Sequence, residues 1–171
     1  MPLLERIDFK TAKTSDGDYE TLIDHIERYF YAMKFVRNKK VLDAACGTGY
    51  GTRMLSWGAK EIAGADKDIS FADKVDGVNY IQADFNKDEL PECDVCVSLE
   101  TIEHLEDPKF FLNNLKCDEL IFSVPLKSKT KFHPTVFDDQ GDVEFLLKFC
   151  SWNIAEVINQ KGRYVYGRAT R

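Results

Sequence analysis

Residues 41–52 read VLDAACGTGYGT. An apolar run carrying one acid, Asp43, gives way to three alternating glycines, Gly47, Gly49 and Gly51. A strand followed by a glycine turn and a helix start is the opening unit of a layered α/β sheet. It is also the local architecture of a nucleotide site. Glycine lets the backbone approach a ligand, and the first turn of a helix offers unpaired N–H groups.

The rest of the chain repeats that alternation. Strand-like apolar runs fall at about 40–45, 61–65, 78–82, 93–99 and 119–124, and helical patterns at about 49–57, 107–116 and 141–150. Such alternation predicts a parallel sheet with helices on its faces. An additional helix is expected over Tyr19 to Val36, where Leu22, Ile23, Ile26, Tyr29, Phe30 and Met33 recur at helical spacing. Asp16 or Asp18 is placed to cap it, and NKK to end it. The C-terminal end departs from the alternation. WNIAEVINQ, then KG, then RYVYGRAT reads as two strands joined by a tight turn. With 171 residues the chain has room for one domain, taken as 18–171 behind a mobile polar lead-in over 1–17.

Composition excludes some partners. Lys and Arg total 23 against 29 Asp and Glu, a net charge of -6, which gives no general basic footprint for nucleic acid. No apolar run is long enough to span a bilayer. The opening MPLLERIDFK meets charge too soon for a signal peptide. The five cysteines, Cys46, Cys93, Cys96, Cys117 and Cys150, sit in strand-like or helix-like contexts and read as reduced thiols of an intracellular, cytoplasmic protein. Cys93 and Cys96 spell C-x-x-C. In a strand, residues three apart point to opposite faces, so core packing is the expected role.

The glycine turn narrows the ligand. A phosphate loop needs Gly-Lys-Ser or Gly-Lys-Thr, and Gly49 is followed by Tyr50. A dinucleotide turn wants glycine or alanine where Thr52 stands. A fixed negative charge at Asp43 would repel a pyrophosphate by roughly 4 kcal/mol at close range. It suits a ligand that brings an ammonium group; its other expected role is to bond loop amides. Asp66, after the second strand, is placed for ribose hydroxyls. Asp84, after the third, is placed for an adenine amine, with Phe85 beside it. Three acids in step past three strands describe an adenine, a ribose and a cationic tail without a phosphate clamp.

On VLDAACGTG, GADKD, YIQADF and CDVCVSLETIEHLEDP, in that order, the chain resembles the class I S-adenosylmethionine-dependent methyltransferases. The resemblance covers roughly residues 19–171. It implies a single Rossmann-like domain whose seven-stranded, mostly parallel sheet ends in an antiparallel hairpin. It implies S-adenosyl-L-methionine as cofactor, at the C-terminal ends of the strands. By motif, Asp43, Ala45, Gly47 and Gly49 would line its methionine part. Asp66 and Lys67 would meet the ribose, Asp84 and Phe85 the adenine, and Leu99 the middle. The N-terminal helix carries His25, Arg28, Tyr29 and Ala32, resembling the H-x-x-R-Y-x-x-A of many small-molecule members. Arg28 would then reach the cofactor carboxylate; otherwise it is solvated beside core Tyr29 and Ala32. The chain departs from the family between Asp66 and Asp84. ISFADKVDGVN leaves room for one short helical turn, so the form is minimal, with a lid that is reduced or supplied by another chain.

Methyl transfer from a sulfonium needs alignment and exclusion of water, and a base only where the acceptor must lose a proton. Glu100 and His104 are the catalytic candidates. With Glu103 they are spaced to share one face of a helical turn, and His133 follows the fifth strand at the same sheet end. The E-x-x-E-H element resembles that of ubiquinone-pathway O-methyltransferases. With a later His it also resembles small-RNA 3′-end 2′-O-methyltransferases. In both, these positions bind metal. The same string occurs in small-molecule members without metal, where it shapes the pocket or His104 serves as base. No metal ligand is assigned. Lys127, Lys129 and Lys131 form a basic loop, attractive to an anionic acceptor or simply solvated, with Phe132 and Phe137 as pocket walls or loop anchors. The reading is a methyltransferase acting on O or N of a small molecule, with nucleic acid and membrane disfavoured. A homo-oligomer or a partner chain could complete the acceptor site. The alternatives are a metal-assisted RNA 3′-end 2′-O-methyltransferase and a cofactor-binding subunit that needs a partner.

Overall fold

A computed structural model of the chain describes residues 16–171, with side chains from residue 19. The expected lead-in over 1–17 lies outside that description, apart from the first two helical residues.

The elements run α1 (Asp16–Met33), β1 (Lys40–Ala44), α2 (Tyr50–Ser56), β2 (Glu61–Asp66), β3 (Val78–Gln82), β4 (Val95–Leu99), α3 (Pro108–Asn114), β5 (Glu119–Pro125), α4 (Gln140–Phe149), β6 (Asn153–Gln160) and β7 (Tyr164–Thr170). One seven-stranded sheet has the order β3-β2-β1-β4-β5-β7-β6. β1 to β5 pair in parallel, while β7 is antiparallel to both β5 and β6. The predicted architecture is therefore the observed one. α1 begins at Asp16 and ends at Met33, three residues earlier at each end than the periodicity suggested. Between β2 and β3 stands only a 3-10 turn, Ile69–Phe71, as the short linker required.

Strand alternation builds two core layers. Val41, Val95, Val97, Leu99 and Ile121 face α1 and α2, where Tyr29, Ala32 and Leu55 meet them. Leu42, Ala44, Cys96, Leu120 and Phe122 face the opposite way and pack with Phe111, Leu112 and Leu147 of α3 and α4. Cys93 belongs to the same layer as Cys96 rather than to the other face. The pleat begins only at Val95, so strand alternation does not extend back to Cys93.

α1 is pinned to the hairpin by buried polar bonds. Asp24, with no exposed surface, holds Lys161 Nζ and Arg163 Nη2, each at 2.6 Å. Tyr31 donates to Glu156 at 2.6 Å, and Arg28 Nη1 donates to Gln160 Oε1 at 2.6 Å. Buried ions are retained only where such partners compensate desolvation. The result fixes where Arg28 sits.

Candidate functional site

The strand order reverses direction between β1 and β4, which carry successive crossovers to opposite sides. In open α/β sheets, ligands bind at such a switch point, beyond the carboxyl ends of the strands. A cavity of about 210 Å³ opens there, with Ala45, Asp66, Asp84, Glu100, His104 and Phe132 among its lining residues. Lys67, Ala83, Phe85, Asn86, Thr101 and Leu105 complete it. Both strands flanking the switch end in a strained residue. Ala45 has φ 64 and Glu100 has φ 52, left-handed values that non-glycine residues seldom adopt.

The glycine turn is organised by Asp66. Its Oδ2 accepts from Gly47 N–H at 2.9 Å and its Oδ1 from Asp68 N–H at 3.0 Å. The amide-bonding role considered for Asp43 therefore belongs to Asp66. Gly49, at φ 84, caps α2 in the left-handed conformation. Gly51 has another reason to be glycine: an added Cβ would lie 1.9 Å from the Tyr29 ring. The third glycine of the turn thus serves helix packing, a role that nothing in the local motif betrays.

Asp43 lies on the α1/α2 side of β1, off the cavity lining. Its carboxylate accepts from Thr52 Oγ1 at 2.6 Å and from the Tyr29 hydroxyl at 3.2 Å. Burial pushes its carboxyl up to about 7, against the opposing effect of those two hydroxyls, and the neighbouring Asp66 adds to the rise. Gly47, Gly49 and Leu99 are likewise absent from the lining. Leu99 is buried in the α1/α2 layer.

Asp84 borders the cavity with Lys67 Nζ 3.1 Å from its Oδ2 and Asn86 donating to its Oδ1 through both backbone and side chain. Partial burial raises this carboxyl, but the Asn86 and Lys67 bonds outweigh it and hold it below the usual carboxylate range. Phe85 packs against Phe111, ring centroids 5.6 Å apart.

Arg28 is fully buried, so the solvated alternative is wrong; Tyr29 and Ala32 are core, as expected. Its guanidinium lies 4.3 Å over the Tyr164 ring and 3.7 Å from Glu100 Oε1. Among the described residues Nε and Nη2 make no hydrogen bond, leaving two buried donors for a ligand. Glu100 is held in turn by the Ser123 hydroxyl at 2.7 Å. His25 joins the same region through a hydrogen bond between its Nδ1 and the Tyr50 hydroxyl. Burial, and then Arg28, hold the imidazole well below its ordinary range.

Glu100, Glu103 and His104 do not share one helical face. The left-handed Glu100 precedes a 3-10 turn, Ile102–His104, so it turns toward Ser123 and Arg28. Glu103, His104 and His133 do converge, with one ligand atom of each within 4.8 Å of the others. The imidazole rings meet edge-on at 4.6 Å. His104 Nδ1 is 3.0 Å from the Phe132 carbonyl and His133 Nδ1 is 3.1 Å from the Ser128 carbonyl. A carbonyl only accepts, so both Nδ1 atoms carry a proton and the second ring nitrogen, Nε2, is the one left to face the cluster. Burial lowers His104 below its ordinary range despite the Phe132 bond, which favours its neutral form.

Sequence reasoning did not find Asn86, Thr101 or Leu105 in the lining. It also missed Ser123 and the carbonyls of Ser128 and Phe132. The Asp107 cap of α3 and its following proline were readable signals that the preceding turn had closed before Pro108. Of the two loop aromatics, Phe132 lines the cavity and Phe137 is buried core. Lys127, Lys129 and Lys131 are exposed.

The comparisons agree with this geometry. Residues 42–116 match the family model described as a methyltransferase domain. The tRNA U34 carboxymethyltransferase of Shewanella sediminis is 28% identical over 114 residues, 60% of this chain and 32% of that protein. The chain thus spans about a third of the length of the curated relative it matches. The magnesium protoporphyrin IX methyltransferase of Synechocystis PCC 6803, solved with bound SAH, superposes with TM-score 0.74 at 14% identity, over 93% of this chain and 89% of that one. The methyltransferase solved with the Haloferax volcanii Trm112 activator gives TM-score 0.73 at 14% identity, over 91% and 94%. These structures share the fold. Residues 42–116 thus match a methyltransferase domain, and the sheet with the cavity at its switch point carries the fold of the class I S-adenosylmethionine-dependent methyltransferases. S-adenosylmethionine is the cofactor that this fold and the matched domain imply.

Proposed function

We propose that the chain transfers a methyl group from S-adenosylmethionine to an oxygen or nitrogen of a small-molecule acceptor. One observation carries this: a single cavity has strand-end acids on one wall and a neutral histidine on the other. When bound, the cofactor supplies an electrophilic methyl on a sulfonium. Asp66 accepts from the ribose hydroxyls while its amide bonds keep the glycine turn in place. Asp84 and Phe85 would receive the adenine, with Ala83 in the same stretch of the lining. Arg28 offers its two spare donors to the carboxylate. His104 Nε2 takes the proton of an acceptor hydroxyl or amine, and Phe132 shields that side from water.

The net charge of -6 favours a small acceptor over tRNA, the substrate class named for the Shewanella relative. A partner chain that covers the acceptor side is the companion proposal, because the linker between β2 and β3 is short and a similar methyltransferase was solved with an activator. Titration calorimetry with SAH tests the cofactor site. Asp66→Ala should weaken binding by about 2–3 kcal/mol, the cost of losing a charged acceptor. Unchanged affinity would remove Asp66 from the ribose.

A second reading is favoured by the imidazole geometry. Ligating histidines commonly donate their other N–H to a carbonyl, as His104 and His133 do. With Glu103 they would hold a divalent cation of the Mn²⁺ or Zn²⁺ type. A cation there would supply Lewis acidity near the acceptor oxygen. Mn²⁺ should raise the Tm of the wild type and not of His133→Ala; equal shifts would exclude the site.

A further inference from the structure

Three of the five thiols gather at the other end of the sheet from the cavity. Cys93 and Cys117 precede β4 and β5, and Cys96 follows inside β4. Val95 pairs with Glu119 and Cys96 with Leu120, and Cys93 and Cys117 each stand two residues before that first pair. The Cys93 N–H donates to the Lys116 carbonyl at 3.0 Å, so the two chains are still adjacent there. Neighbouring strands lie about 4.8 Å apart. A disulfide needs Cα atoms at about 4.4–6.8 Å. The two thiols are near enough that each shifts the ionisation of the other.

We infer that Cys93 and Cys117 form a reactive cross-strand dithiol that closes to a disulfide by exchange with a low-molecular-weight disulfide. Both residues are buried, but they stand at the margin of the core, each keeping 9% of its surface exposed. Both sulfur-bearing residues line a basin of about 580 Å³ with Lys116, Asp118 and Arg171. Cys96, with no exposed surface, has no such opening.

The pair is asymmetric. Interaction with the Cys93 thiol, which outweighs burial, holds Cys117 below the usual thiol range, helped by the Cys96 backbone and the Arg171 guanidinium. The same interaction, and then burial, push Cys93 up. Cys117 is therefore the attacking sulfur, since the thiolate is the nucleophile. Its thiolate attacks one sulfur of the small disulfide, forming a mixed disulfide and releasing one thiolate. Cys93 then attacks the Cys117 sulfur, losing its proton to the released thiolate and expelling the second small group as a thiolate, which takes from solvent the proton that Cys117 lost on ionising. Two protein thiols are oxidised by two electrons, and one small disulfide is reduced to two thiols. The closed loop, residues 93–117, contains Glu100, Glu103 and His104. The bond would thus clamp the base of the segment that carries the acceptor wall.

The test uses the full chain in graded mixtures of glutathione and its disulfide, quenched by alkylation and read by intact mass and peptide mapping. The expected product has lost two hydrogens and yields one cross-linked peptide pair containing Cys93 and Cys117. Cys93→Ser should accumulate a glutathione adduct on Cys117, whereas Cys117→Ser should give neither adduct nor cross-link. Cys46→Ser should keep the cross-link. A bond between any other pair, or intact thiols in excess glutathione disulfide, overturns the inference. If the serine variants do not fold, wild-type mapping decides alone. The outcome is independent of the methyltransferase reading, which is tested by SAH binding.

Discussion

The two walls of the cavity are built by different means. The wall of Asp66, Lys67, Asp84 and Phe85 comes from residues at or just past the ends of β2 and β3. Their bonds are mostly short in sequence: Asp66 to the Asp68 amide, Asp84 to Asn86. The wall of Glu100, His104 and Phe132 depends on distant partners. Glu100 is positioned by Ser123 and by Arg28 from α1, and His104 by the Phe132 carbonyl. Register alone places the first wall, whereas the second exists only once α1, β5 and the 126–137 loop have docked. The first wall should tolerate substitution as a local loss of affinity. The second should transmit substitution into stability.

The largest expected effect is at Arg28. It is buried, bonded to Gln160, stacked on Tyr164 and close to Glu100. Arg28→Met leaves those partners uncompensated and should cost about 3 kcal/mol or more in chemical denaturation. If its spare donors meet the cofactor carboxylate, the variant should also lose affinity for SAH but not for 5′-methylthioadenosine, which has no carboxylate. Equal losses for both ligands would make Arg28 a purely structural residue. A stable variant would erase the contrast between the walls.

Asp43 comes next, and its effect is read through pH. Its carboxyl is raised from 3.8 to about 7 by burial. The folded chain therefore holds a proton that the unfolded chain releases between about pH 4 and 7. Unfolding free energy should fall as pH rises through that window, by an amount on the order of a few kcal/mol. Asp43→Asn should flatten the dependence of Tm on pH across that window. The same variant separates two roles. If Asp43 meets the cofactor ammonium, SAH binding in the wild type should strengthen as pH rises toward 7. If it only anchors Tyr29 and Thr52, affinity should be level.

What the sequence disclosed follows the same division. The strand-end acids were legible because strand period and turn chemistry are local, and so was the hairpin at Lys161 and Gly162. His133 was placed at the right sheet end, and the structure brings it to His104. The shared face expected for Glu100, Glu103 and His104 was not there, because a left-handed φ at Glu100 breaks the helical spacing. Gly51, the third glycine of the run, had no role readable in the sequence, because its reason, the Tyr29 ring, lies in another helix. The burial of Arg28 was equally hidden, since it depends on Gln160 and Tyr164 at the far end of the chain. Cys93 and Cys96 were expected to pack in the core on opposite faces; both are core, but in one layer, because the strand pleat begins only after Cys93.

The smallest effect is expected at Lys67, and it sharpens what the first wall contains. Its side chain is 66% exposed, 3.1 Å from Asp84 Oδ2. An ion pair that open contributes at most about 1 kcal/mol and is screened by salt. Lys67→Met should therefore raise the Kd for SAH by less than about fivefold. The decisive measurement is the same substitution in an Asp84→Asn background. If Lys67 acts by holding the Asp84 carboxylate toward the adenine, it has nothing left to hold, and Lys67→Met should then change nothing. If Lys67 itself donates to the ribose, its loss should be the same in both backgrounds. The first outcome reduces the polar part of this wall to two acids with a supporting cation. The second makes it a three-residue contact, in which Asp66 and Lys67 share the ribose and Asp84 alone reads the base.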